Sequence, residues 1–139
     1  MSKKTKSYGI AMVVLVAGLV AGCASSGTAK KVTAADASLF TGTWQGWVYP
    51  TQQPSETATV TVKPDGSYTT QAVAFSSSGK IEIKDGYVHF VSTGGTGPLG
   101  SGDRSGSATL MDRGTNWGLV GNGYSSRGGP FNFDFNKAK

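Results

Sequence analysis

One-by-one alternation of apolar and polar residues dominates this chain between positions 42 and 136. Ala58, Val60 and Val62 alternate with Thr57, Thr59 and Thr61; Ile81 and Ile83 alternate with Lys80, Glu82 and Lys84; Phe131, Phe133 and Phe135 alternate with Asn132, Asp134 and Asn136. A period of two belongs to a strand with one buried and one wet face. No stretch of eleven or more residues carries the spacing of an amphipathic helix. The chain is therefore expected to be all-β. Pro64-Asp65-Gly66, Asp85-Gly86 and Asp112-Arg113-Gly114 punctuate it, with aspartate supplying a local hydrogen bond and glycine the positive φ of a tight hairpin.

These signals place eight antiparallel strands near 42–49, 56–63, 67–75, 79–84, 87–92, 105–112, 115–121 and 130–136, joined in sequence as an up-and-down meander. Such a sheet either exposes two edges or closes on itself. At about eight strands, closure gives an interior that side chains fill or that holds one small ligand. A small closed barrel over residues 39–139 is the expected domain, with a two-sheet sandwich as the competing arrangement.

The start of the chain has a different character. Lys3, Lys4 and Lys6 precede an uncharged run from Ile10 to Ala21 that ends Leu19-Val20-Ala21-Gly22-Cys23. At about 1.5 Å per residue the run reaches only about 18 Å, short of the roughly 30 Å hydrocarbon core, so it reads as a signal peptide over residues 1–22. Cys23 is the only cysteine. The segment resembles the lipobox of bacterial lipoproteins. That resemblance implies cleavage before Cys23, lipidation of its thiol, and anchoring by several acyl chains where one chain is marginal. Ala24 and Ser25 follow, with no aspartate behind the cysteine; in Gram-negative members this implies the periplasmic face of the outer membrane. Residues 23–38, small and polar, read as a lipidated flexible tether spanning about 20 Å. Without the signal, ten basic residues face eight acidic ones, a net +2. The overall basicity is thus largely the signal's and is no nucleic-acid footprint.

Phe40-Thr41-Gly42-Thr43-Trp44 resembles the Gly-x-Trp start of the first strand in lipocalins and their calycin relatives. In that family the tryptophan plugs the closed end of the barrel beneath an arginine from near the last strand. The resemblance implies a lipocalin-like barrel with Trp44 as its floor residue. The final segment offers Lys137 and Lys139 in place of the arginine, and the family's Thr-Asp-Tyr loop motif is absent.

Catalytic and metal motifs find little support. Gly95-Thr96-Gly97-Pro98-Leu99-Gly100 matches G-x-G-x-x-G, but a strand follows it where a dinucleotide site needs a helix. Ser77-Ser78-Gly79-Lys80 matches Ser-x-x-Lys at a strand entrance, away from the helix that chemistry requires. His89 is the only histidine and has no partner cluster for zinc or a triad. No cofactor, metal or catalytic residue is expected.

The aromatics are more informative. If Trp44 faces inward, Trp47 and Tyr49 face outward unless Gly46 carries a bulge. Rings with a polar tip suit a partner-binding patch. Tyr68 and Trp117 are further ligand- or partner-binding candidates. Two functions follow, with a hydrolase as a lesser third that no motif supports. The first is a non-enzymatic, envelope-anchored interaction module whose packed barrel displays its outer surface to an envelope protein or a cell-wall component. The second is a carrier of a small apolar ligand, with Trp117, Tyr68 and the 94–102 loop at the barrel mouth. The carrier requires a cavity of at least a few hundred Å³.

Overall fold

A computed structural model of the protein describes residues 27–139; residues 1–22, read above as a signal peptide, and Cys23 lie outside the described residues. Among the described residues there are nine strands: β1 (Thr28–Lys30), β2 (Gly42–Pro50), β3 (Glu56–Val62), β4 (Ser67–Ala72), β5 (Ser76–Lys84), β6 (Tyr87–Thr96), β7 (Arg104–Asp112), β8 (Trp117–Ser125) and β9 (Gly129–Lys137). A 3-10 helix covers Ala34–Leu39. From β2 to β9 each strand pairs antiparallel with the next, and β9 returns to β2 from Trp44↔Lys137 to Pro50↔Phe131. The eight-stranded meander is a closed barrel, and a sandwich of two sheets is excluded.

The three turn signals act as their chemistry dictates. Gly66 adopts φ 85° and its N–H donates to the Lys63 carbonyl, while the Asp65 carboxylate accepts from the Ser67 N–H at 2.9 Å. Asp85 and Gly86 both take positive φ, as a two-residue hairpin loop requires. The Gly114 N–H donates to the Asp112 carboxylate at 2.9 Å.

Strand direction defines two ends. The helix end carries the 3-10 helix and the turns at 63–66, 85–86 and 113–116; the loop end carries the connections at 51–55, 73–75, 97–103 and 126–128. The core between them holds Phe40, Trp44, Val48, Val62, Leu110 and Phe131, Phe133 and Phe135. Phe90 stands 5.7 Å from Phe133, and Phe133 stands 5.4 Å from Phe135, giving a column of rings down the axis. Space for that column comes from glycine: a methyl on Gly123 would lie 2.5 Å from the tip of Phe131, and one on Gly121 2.7 Å from that of Phe133.

The domain begins earlier than residue 39. Within the segment read as a flexible tether, 23–38, the described part is docked: Thr28–Lys30 pairs with Leu110–Asp112 of β7, Val32 is 2 % exposed, and its N–H donates to the Gly86 carbonyl. Backbone pairing on a sheet edge needs no apolar side chains, so composition does not reveal it. The helix is opened by Asp36, whose carboxylate accepts from the Thr33 N–H at 2.8 Å, while the Asp36 N–H makes the first helical bond to the Thr33 carbonyl at 2.9 Å.

Candidate functional site

Trp44, fully buried, lies near the start of β2 at the helix end. Its indole N–H donates to the Phe40 carbonyl at 2.9 Å, and the two rings stack 6.5 Å apart. Lys137, the last residue of β9, places its ammonium 5.7 Å from the indole centroid and donates to the Leu39 carbonyl at 2.6 Å. A lysine thus stands over the tryptophan where the lipocalin resemblance implies an arginine. The cation and its one carbonyl contact tie β9 to the 3-10 helix that precedes β2.

The barrel interior is nearly filled. Its cavity measures about 90 Å³, bounded by Val48, Val62, Phe75, Phe90, Leu99 and the three phenylalanines of β9, among others. That falls below the few hundred Å³ a carrier needs. At the loop end, Leu99 is 3 % exposed and the loop bearing it is fastened by the Ser125 hydroxyl, which donates to the Pro98 carbonyl. Arg104, at the start of β7, is buried beneath this loop and donates to the Leu99 carbonyl and to the Ser77 hydroxyl.

Register around Gly46 is continuous with both β3 and β9, so no bulge intervenes and Trp47 and Tyr49 face outward. They are 48 % and 44 % exposed, with centroids 6.4 Å apart and ring planes within 18°. Across from them on β9 stand Asp134 and Asn132. Beyond lies a surface groove of about 790 Å³, floored by short side chains of β7, β8 and β9 that include Ser107, Thr109, Asn122 and Asn132, and walled by Tyr49 and Tyr87. Asp134 is paired with Arg113 at 2.8 Å, so the groove floor carries little free charge.

Tyr68 and Trp117 do not join this surface, nor do they form a mouth with the 94–102 loop. Tyr68 is 5 % exposed and points into the core, edge-on to Phe90 at 6.3 Å. Trp117 begins β8 at the helix end, the opposite end from the 97–103 loop, where it packs half-buried against the core. The direction of β8 decides this: its Ser125 end, not its Trp117 end, meets the glycine-rich loop.

The sequence motifs resolve into structure. Gly97 to Ser101 forms a tight turn with no helix behind it, the N–H groups of Gly100 and Ser101 both donating to the Gly97 carbonyl. Ser77 is buried on β5 while Lys80 is exposed. His89 is half-buried and its Nε2 lies 3.3 Å from the Lys84 carbonyl. Among the described residues no group of three or more His, Cys, Asp or Glu side chains is placed to hold a metal ion. Arg104 is the residue that the alternation missed. Followed one step back from Leu110, Ala108 and Gly106, the inward set of β7 reaches it.

Comparison of the chain with protein-family models, with curated proteins and with solved structures gives no match.

Proposed function

We propose that this protein is a lipid-anchored envelope protein acting as a non-enzymatic binding module through the outer face of its barrel. The reading rests on one contrast: the interior leaves about 90 Å³, whereas the outer face carries an open groove of about 790 Å³ bordered by Tyr49, whose half-exposed ring stacks on that of Trp47. Large amphipathic rings held rigid by a sheet lose little entropy on contact and supply apolar area with a hydrogen-bonding tip. The lipobox sequence at Cys23 supplies the anchor, and the partner is an envelope protein or a cell-wall component facing the same compartment.

A photocrosslinking residue at position 47 tests the surface in cells. It should give a light-dependent adduct that is absent from position 61, on the outer face of β3, and lost when Tyr49→Ala is added. Equal labelling from both positions refutes the assignment of this face. The anchor is tested by Cys23→Ala, which should move the protein out of the membrane fraction; unchanged retention there refutes lipidation.

A further inference from the structure

The exposed aromatic side chains among the described residues, Trp47, Tyr49, Tyr87 and Tyr124, all lie on or beside the outer surface of β7, β8 and β9. Trp47 and Tyr49 come from β2, Tyr87, 46 % exposed, from β6, and Tyr124, 58 % exposed, from β8. Strand register lines up what stands between them. Tyr49 opposes Asn132, Asn132 opposes Asn122, and Asn122 opposes Ser107; in the adjacent row Trp47 opposes Asp134, Asp134 opposes Val120, and Val120 opposes Thr109. Tyr124 follows Asn122 by two residues and so shares its face of β8. The groove walled by Tyr49 and Tyr87 is thus floored largely by hydroxyl and amide groups. Asp134 is the one charged residue lining it, and Arg113 pairs with that carboxylate at 2.8 Å.

We propose that this groove binds a neutral glycan strand, a run of linked, uncharged sugar rings. The proposal rests on the outer-face reading above and names the chemistry of the partner. A sugar ring offers an apolar C–H face, which packs flat on an aromatic ring, and an edge of hydroxyls, which needs neutral donors and acceptors. Serine, threonine and asparagine side chains supply both. A protein partner favours the reverse layout, with aromatic and apolar side chains clustered at the centre and polar groups at the rim. Here the rings stand at the margins and the polar groups at the centre. Nucleic acid and other acidic polymers need free cations, and the floor has none. Charge complementarity therefore selects an uncharged, hydroxyl-rich ligand. Tyr49 and Tyr87 stand on strands four apart, with about 19 Å of sheet between them at about 4.8 Å per strand. One sugar ring cannot reach both walls, but a chain can.

The full-length protein in a polyoxyethylene detergent, which carries no sugar, gives the test by titration calorimetry and saturation-transfer NMR. The probes are the dimers and pentamers of chitin and of cellulose, with the pentamer of galacturonic acid as an acidic counterpart. At least one neutral pentamer should bind at least tenfold more tightly than its own dimer, because only the longer chain engages both walls, and saturation should reach its ring protons. The acidic pentamer should bind at least tenfold more weakly. Tyr49→Ala and Tyr87→Ala, both at exposed positions, should each weaken binding at least fivefold, and Thr61→Ala on the outer face of β3 should not. If neither neutral pentamer binds at millimolar concentration while position 47 still crosslinks to a protein in cells, the glycan proposal is overturned and the outer-face reading stands; if neither occurs, both fall. Equal affinity for dimer and pentamer, or for the acidic pentamer, overturns the ligand class, and binding that survives both tyrosine variants overturns the site.

Discussion

Replacing Gly123 with alanine tests how the phenyl column is accommodated. In an exposed strand this change is favourable by about 0.5–1 kcal/mol, since alanine loses less freedom on folding than glycine. Here the new methyl would sit 2.5 Å from the tip of Phe131, 2.8 Å from the Ser105 carbonyl oxygen and 3.0 Å from the tip of Phe90. Overpacking of this kind costs about 1–3 kcal/mol. The steric cost exceeds the entropic gain, for a net loss of about 1–2 kcal/mol and a fall in midpoint of roughly 5–15 °C for a domain of this size. Thermal and urea unfolding measure it. Adding Phe131→Leu, which withdraws the opposing ring tip, should make the double variant more stable than the sum of the singles by about 1 kcal/mol. A neutral or stabilising Gly123→Ala, or strict additivity in the cycle, would refute the claim that Gly123 exists to admit the ring.

Trp44→Phe keeps most of the apolar volume but removes the indole N–H, orphaning the buried Phe40 carbonyl; urea titration should show a loss of about 1–3 kcal/mol. Trp47→Ala should change stability by less than about 1 kcal/mol in the same assay, because the ring is half-exposed. The Asp36 carboxyl is held below its usual value of 3.8, first by the Thr33 backbone N–H and, further down, by Lys30. With its folded pKa depressed, its stabilisation is complete above the unfolded value and is lost as pH falls through the lower folded one. Chemical shifts of the Thr33 and Asp36 amides should therefore move below pH 4, and Asp36→Asn should abolish that response. A response unchanged in Asp36→Asn would assign it to another group.

The strands whose inward positions are filled by aliphatic or phenyl side chains were legible from alternation, as β3 and β9 show. β8 was legible only in part. Its inward set is Leu119, Gly121, Gly123 and Ser125, and the volume its glycines omit is supplied by Phe131 and Phe133 of the neighbouring strand. A pattern written across two strands is invisible to a reading along one. The same holds for the start of β5, where Ser77 faces inward to meet Arg104 and Gly79 leaves room for the Tyr68 ring. The outward direction of Trp47 and Tyr49 followed from simple parity with Trp44. Residue parity alone cannot say which end of the barrel a strand starts from; the order of the meander does, since successive connections alternate ends, and it sets Trp117 opposite the 97–103 loop.

The seam between β2 and β9 joins residues as distant in the chain as Trp44 and Lys137. Each seam between consecutive strands from β2 to β9 is a local hairpin that can zip within microseconds, but this one must wait for a loop of most of the domain to close. Until it does, the growing sheet has two open edges bearing the alternating apolar faces of Val48 and Phe133, the kind of template on which chains pair with each other. Folding and aggregation therefore compete at a single late step. The Lys137 contact with Leu39 and Trp44 lies at that step, so weakening it should slow the final closure more than it slows the formation of any hairpin.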